Sequence, residues 1–155
     1  RHLDASALLS RLIGTFATIR GLGTLKIEKC LCVFPRNDYE PDLVFFGSEK
    51  AATLKPDTMK FPIPDFIVEI LSESTEASDR GVKFEDYAAH GVGEYWIVDS
   101  EAETIEQYLL RESGYELRAK ASTGTITSEA IVGMTIPVRA IFDEAENLAT
   151  LRGWM

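Results

Sequence analysis

The run Phe66-Ile67-Val68-Glu69-Ile70-Leu71 carries one charge, Glu69, among aliphatic and aromatic residues. Apolar residues occupy both alternating faces of this segment, the pattern of a strand covered on both sides rather than on one. Such a strand belongs in the middle of a sheet with other layers packed against it. The same pattern makes Glu69 expensive, because a carboxylate in apolar surroundings needs a cation, hydrogen bonds or a proton. The segment therefore constrains the architecture and also demands a partner for its own acid.

The remaining segments supply those layers. The chain has 155 residues, enough for one domain with a sizeable core, and the reading is a single domain over 1–155. Leu8, Leu9, Leu12, Ile13 and Phe16 recur at helical spacing between Ser6 and Arg20, and Gly21 and Gly23 end the helix. Strands are expected over residues 25–33 and 41–47, then a loop over 48–64, then the strand at 65–71. A helix over 78–90 stops at Gly91, and Glu94-Tyr95-Trp96-Ile97-Val98-Asp99 gives a further strand. Segments 104–110 and 115–121 alternate and complete a meander, and a short helix is expected over 139–145. This order predicts the α/β (α+β) class: a mixed sheet flanked by helices, with an antiparallel meander and a parallel crossover between Glu69 and Trp96.

Composition narrows the function classes. Hydrophobic residues make up 45% and charged residues 26%, which suits a folded chain and not a disordered one. No apolar run approaches the roughly 18 residues of a membrane span, and the opening Arg1-His2-Leu3-Asp4 does not resemble a signal peptide, so the cytoplasm and no membrane partner are expected. The first residue is not Met and the opening residues read as the inside of a helix, so upstream residues are expected. Cys30 and Cys32 lack further Cys or nearby His to complete a soft-metal site and are read as buried thiols. The net charge of −9 argues against a broad basic surface for phosphate backbones, although metal ions, a local basic cluster or a partner can compensate.

Against that background three residues stand out: Asp42 after Pro41 at the start of one strand, Glu69 inside the next, and Lys83 in the following helix. If the two strands are neighbours, Asp42 and Glu69 can share a hard divalent cation such as Mg²⁺, with Mn²⁺ as a substitute. That ion can polarise a phosphodiester, and a lysine beside it can orient the attacking water or offset developing charge. Each residue has a structural alternative. Asp42 can serve as a strand-entry residue, and Lys83 can pair with Asp79 at i, i+4 on a helix surface. Asp65 also follows a proline and reads as a strand-entry cap. His2 and Glu28 are further candidates, as a substrate contact and an additional carboxylate. Tyr95 and Trp96 read as core aromatics, since no basic residues interleave them.

The stretches Glu40-Pro41-Asp42-Leu43-Val44-Phe45, Pro64-Asp65-Phe66-Ile67-Val68-Glu69-Ile70-Leu71-Ser72-Glu73-Ser74-Thr75, Asp79-Arg80 with Lys83 and Tyr87-Ala88, and Gly91-Val92 with Glu94-Tyr95-Trp96-Ile97-Val98-Asp99 resemble the Uma-two family of restriction endonucleases. That family lies within the PD-(D/E)XK nuclease superfamily. The resemblance implies a restriction-endonuclease-like fold, Mg²⁺ dependence and hydrolysis of DNA. It also implies Asp42, Glu69 and the main-chain carbonyl of Ile70 as metal ligands, and a possible homodimer. Glu69-Ile70-Leu71 departs from the superfamily pattern in lacking a lysine two residues after the acid; Lys83 on the next helix would replace it. Two alternatives stay open. One is a non-catalytic interaction module that keeps the fold, which the acidic stretch Asp143-Glu144-Ala145-Glu146 would suit; the other is hydrolysis of a small phosphorylated molecule.

Overall fold

The computed structural model describes residues 2–28 and 30–155. Chain order is α1 (His2–Arg20), β1 (Gly23–Ile27), β2 (Leu31–Val33), β3 (Asp38–Tyr39), β4 (Leu43–Gly47), α2 (Ser48–Ala51), β5 (Lys60–Phe61) and β6 (Phe66–Ile70). There follow α3 (Glu76–Arg80), α4 (Val82–Ala89), β7 (Glu94–Asp99), β8 (Thr104–Arg111), β9 (Gly114–Ala121), β10 (Thr125–Thr127) and β11 (Thr135–Pro137). A 3-10 turn (Val138–Ile141) and α5 (Glu144–Gly153) complete the order.

The main sheet has six strands in the order β1-β4-β6-β7-β8-β9. β6 lies inside it, antiparallel to β4 and parallel to β7, and β7-β8-β9 form the antiparallel meander. The mixed α+β architecture expected from the sequence is the one observed. Alternation then sorts each inner strand between two cores. Leu43, Phe45, Phe66, Val68, Ile70, Trp96 and Val98 pack with Leu9, Leu12 and Phe16 of α1. Val44, Phe46, Ile67, Tyr95 and Ile97 pack on the opposite face with Tyr87 of α4 and with Cys32 and Phe34. Burying each of these large side chains contributes about 1.5–3 kcal/mol, which is why an all-apolar strand goes to the centre. The two faces meet only through the sheet, so a group on one face is screened from the other layer.

Several boundaries differ from the sequence reading, each for a local reason. The strand expected over 25–33 is broken: β1 ends at Ile27, Glu28 takes a left-handed φ of 51°, and β2 joins a small sheet of order β3-β2-β5. Lys29, inside that expected strand, lies outside the described residues, as does Arg1. The expected loop over 48–64 contains α2 and β5, the latter parallel to β2. The helix expected over 78–90 is two helices separated at Gly81 (φ −109°, ψ −105°), where a Cβ would lie 2.7 Å from the Ala77 carbonyl oxygen. The helix expected over 139–145 is a 3-10 turn followed by α5. Asp143 caps α5 by accepting the Glu146 N–H at 2.9 Å, so the acidic stretch is a cap and first turn, where negative charge suits the helix dipole. Buried Asn147 donates to the Leu8 and Ala140 carbonyls and ties α5 to α1. Among the described residues no helix is long and apolar enough to cross a membrane.

Candidate active site

The register of β4 against β6 brings the first two acids together. Leu43 lies opposite Val68, Val44 opposite Ile67 and Phe45 opposite Phe66, so continuing the ladder by one residue sets Asp42 opposite Glu69. The contacts agree. The Asp42 N–H donates to Glu69 Oε1 at 3.2 Å, and the Ile70 N–H donates to Asp42 Oδ2 at 2.7 Å. All three residues assigned to a metal from the sequence thus lie at one point of the sheet, with Ile70 tied in through its peptide.

The third residue arrives by the crossover. Between parallel β6 and β7 the chain runs through α3 and α4 across the face carrying Ile67 and Tyr95, and Glu69 points to that same face. Lys83 Nζ donates to Glu69 Oε2 at 3.2 Å and to Asp79 Oδ1 at 2.9 Å, and the Tyr87 hydroxyl donates to Glu69 Oε2 at 2.8 Å. Residues 83 and 87 are spaced by four on α4, which aligns them along one side of that helix, and Asp79 at the end of α3 meets Lys83 across the break at Gly81. That spacing was visible in the sequence, but a role for Asp79 and Tyr87 was missed because spacing alone does not reveal burial.

Burial is what separates this cluster from a surface ion pair. Glu69 is 2% exposed and Asp79 1%; the Lys83 side chain is 16% exposed and that of Asp42 30%. Burial pushes the Glu69 carboxyl up to about 7; Lys83 and the Tyr87 hydrogen bond oppose this, while Asp79 and Asp42 add to it. Burial likewise raises Asp79, offset in part by Lys83. For Lys83, desolvation is the largest influence and favours the neutral amine, but Glu69 and Asp79 together outweigh it and hold the ammonium above its ordinary range. Burial, and then the neighbouring Glu69 charge, keeps the Tyr87 phenol protonated.

The other candidates separate. His2, at the start of α1, sets Nε2 3.7 Å from Asp42 Oδ2, at the rim of the cluster. Glu28 is exposed in the turn after β1. Asp65 accepts the Gly47 N–H at 2.7 Å and pairs with Lys50 at 3.1 Å, a strand-entry role. Tyr95 and Trp96 are fully buried in the two cores, and Cys30 and Cys32 are buried free thiols.

The set of donors fits a hard cation in kind. Two carboxylates and a peptide carbonyl offer only oxygen, which Mg²⁺ accepts while retaining waters. Among the described residues no cluster of three or more His, Cys, Asp or Glu is arranged to hold a metal, so a dedicated all-side-chain cage is absent there, and Mg²⁺ does not require one.

The fold is similar to that of the crystal structure of a "putative nuclease belonging to DUF820" from Anabaena variabilis, with a TM-score of 0.76 and 16% identity. The match covers 97% of this chain and 81% of the other. At that identity the likeness is one of architecture, a nuclease-type fold. The Uma2 family model, described as "Putative restriction endonuclease", matches residues 1–139, and the chain belongs to that family. No curated protein matches the chain.

Proposed function

We propose that this chain is a Mg²⁺-dependent endonuclease hydrolysing phosphodiester bonds in DNA, with Asp42, Glu69 and Lys83 as its working residues. The observation that carries the reading is the meeting of Asp42 and Glu69 across adjacent strands, with Glu69 buried against the Lys83 ammonium. The carboxylates of Asp42 and Glu69 and the carbonyl of Ile70 would hold the ion. When bound, such an ion polarises a phosphodiester and makes its water more acidic.

The chain's own residues do the rest. The Ile70 N–H fixes the Asp42 carboxylate at 2.7 Å, so a half-buried acid is pre-oriented instead of free to rotate. The Asp42 N–H, the Tyr87 hydroxyl and Lys83 occupy the two oxygens of Glu69, and Lys83 and Tyr87 favour the charged form of a carboxylate that burial pushes toward protonation. Lys83, partly exposed at the rim, can orient a water by hydrogen bonding and offset negative charge on phosphoryl oxygens.

Two clefts with room for a small phosphorylated molecule lie away from the cluster. Clefts of about 430 Å³ at Gln107, Arg118 and Thr127 and about 470 Å³ at Ala88, Gly91 and Arg111 do not include Asp42, Glu69 or Lys83. One observation favours the rival reading of a non-catalytic association module: the net charge of −9, which repels a phosphate backbone unless metal or a partner intervenes. Plasmid cleavage decides between them. Nicking or linearisation is expected with Mg²⁺, and Mn²⁺ is expected to substitute. Both activities should vanish with a chelator and in folded Asp42→Ala and Glu69→Ala proteins. Undiminished cleavage by both variants would remove the assignment, and no cleavage together with no Mn²⁺ binding by calorimetry would favour the association module.

A further inference from the structure

Asp79 is 1% exposed, yet its Oδ2 has no hydrogen-bond partner. A helix-surface pair with Lys83 would leave both groups in water, where such a contact is worth only tenths of a kcal/mol. Here the acid is buried beside two other carboxylates, Glu69 and Asp42, whose charges oppose its ionisation. A carboxylate buried among like charges is costly to desolvate, and packing gives no reason for it. The backbone around Asp79 is also pinned. The Tyr95 hydroxyl donates to its carbonyl at 2.8 Å, and the adjacent Arg80 guanidinium grips both oxygens of Glu106 on β8 at 2.9 and 2.8 Å. The Asp79 and Glu69 carboxylates thus share the one Lys83 ammonium.

We propose that Asp79 is the positioning residue for Lys83: it holds the ammonium in place when Glu69 turns its lone pairs to the metal. The inference rests on the nuclease reading for its purpose and on the contacts of Lys83 for its geometry. With Glu69 alone, engagement of its carboxylate elsewhere would leave Lys83 without an anchor and free to swing into solvent, since its side chain has rotamers to spare. The 2.9 Å contact to Asp79 is the shorter of its two, so the anchor does not depend on Glu69. The uncommitted Oδ2 leaves a position for a hydrogen bond from a water or a second Lys83 proton.

The test combines a spectroscopic readout on metal-free protein with kinetics on the loaded enzyme. In nitrogen-15 spectra of wild-type protein, Lys83 should give a persistent ammonium signal, identified by its loss in Lys83→Arg, because protons in a buried double contact exchange slowly. Asp79→Asn should lose that signal. Its kcat for plasmid cleavage should fall about 100-fold while KM and Mn²⁺ affinity stay unchanged. Asp79→Glu should recover part of the rate, and Asp79→Asn combined with Lys83→Ala should be no slower than Lys83→Ala alone. An ammonium signal that survives Asp79→Asn would overturn the proposal, whatever the enzyme does. Weakened Mn²⁺ binding in Asp79→Asn would overturn it in another way, by making Asp79 a metal ligand. If wild-type protein shows the signal and loses it with Asp79→Asn, but never cleaves, the anchor stands and the nuclease reading falls.

Discussion

Of the three glutamates buried in the main sheet, Glu69 and Glu94 have surroundings with little in common. Glu94, the first residue of β7, is 1% exposed on the α1 face and accepts from five donors: Trp96 Nε1, Gln107 Nε2, the Ser128 hydroxyl and the N–H groups of Glu129 and Ala130. Every donor is neutral. Glu69, 2% exposed near the far end of β6 and on the other face, shares an ammonium with Asp79 and lies close to Asp42. A carboxylate saturated by neutral donors is a structural tie: it fastens the 128–130 turn to the strand and has no reason to exchange partners. A carboxylate crowded by other acids around one cation is held in a tension that a divalent ion would relieve. Burial does not distinguish the two glutamates; the kind of partner does.

The contrast can be broken from either side. The largest effect is expected at Glu69. Glu69→Gln should lower cleavage on the order of 10⁴-fold, about 5 kcal/mol of barrier, while chemical denaturation shows stability unchanged or raised, because a crowded buried charge is gone. Next comes Glu94→Ala, which strands five donors. It should cost on the order of 4 kcal/mol in urea unfolding and leave the specific activity of the folded fraction intact. If Glu94→Ala abolished cleavage without unfolding, or Glu69→Gln unfolded the chain, the distinction would collapse.

A smaller effect sharpens the comparison with an acid that is partnered by a cation but lies outside the proposed site. The Arg80 fork, with Tyr108 assisting and burial opposing, holds Glu106 below the usual carboxylate range. A depressed carboxylate stabilises the fold above its unfolded pKa, and that contribution is lost as pH falls through the folded value. Wild type should therefore show a steeper loss of melting temperature below about pH 4.3 than Glu106→Gln, which forfeits about 2 kcal/mol at neutral pH. Parallel acid limbs would contradict this. The smallest effect is expected at the cap of α5. Asp143→Ala should cost about 1 kcal/mol and leave cleavage untouched, and a larger loss of activity would revive a functional role for the acidic stretch.

What could be read beforehand divides along the same line. Glu69 was legible because one charge in an apolar run is a local anomaly, and Asp42 because it opens a neighbouring strand whose register follows from the apolar alternation. The parallel β6-to-β7 crossover followed from strand, helix and strand in succession. Glu94 was not legible as a tie, since its donors come from positions 107 and 128–130, brought near only by the meander and the turn beyond it. Asp79 was misweighted because its spacing from Lys83 is also that of an ordinary surface pair, and only packing against Tyr95 and Glu69 distinguishes the two. The break after Ile27 depended on a positive φ at a glutamate, which no residue preference announces.

The interruption at Gly81 falls between Asp79 on α3 and Lys83 on α4, so the two residues are not successive turns of one continuous helix. The reach of the ammonium toward the sheet is consequently calibrated by a pair of main-chain torsions, and the calibration depends on the absence of an atom, since any Cβ there would press on the Ala77 carbonyl oxygen at 2.7 Å. Variation at position 81 would then act as a vernier on the distance between the Asp79 and Lys83 charges while leaving every polar group chemically intact. Among descendants of such a chain, the Asp79–Lys83 contact would drift through a residue that carries no polar side chain at all.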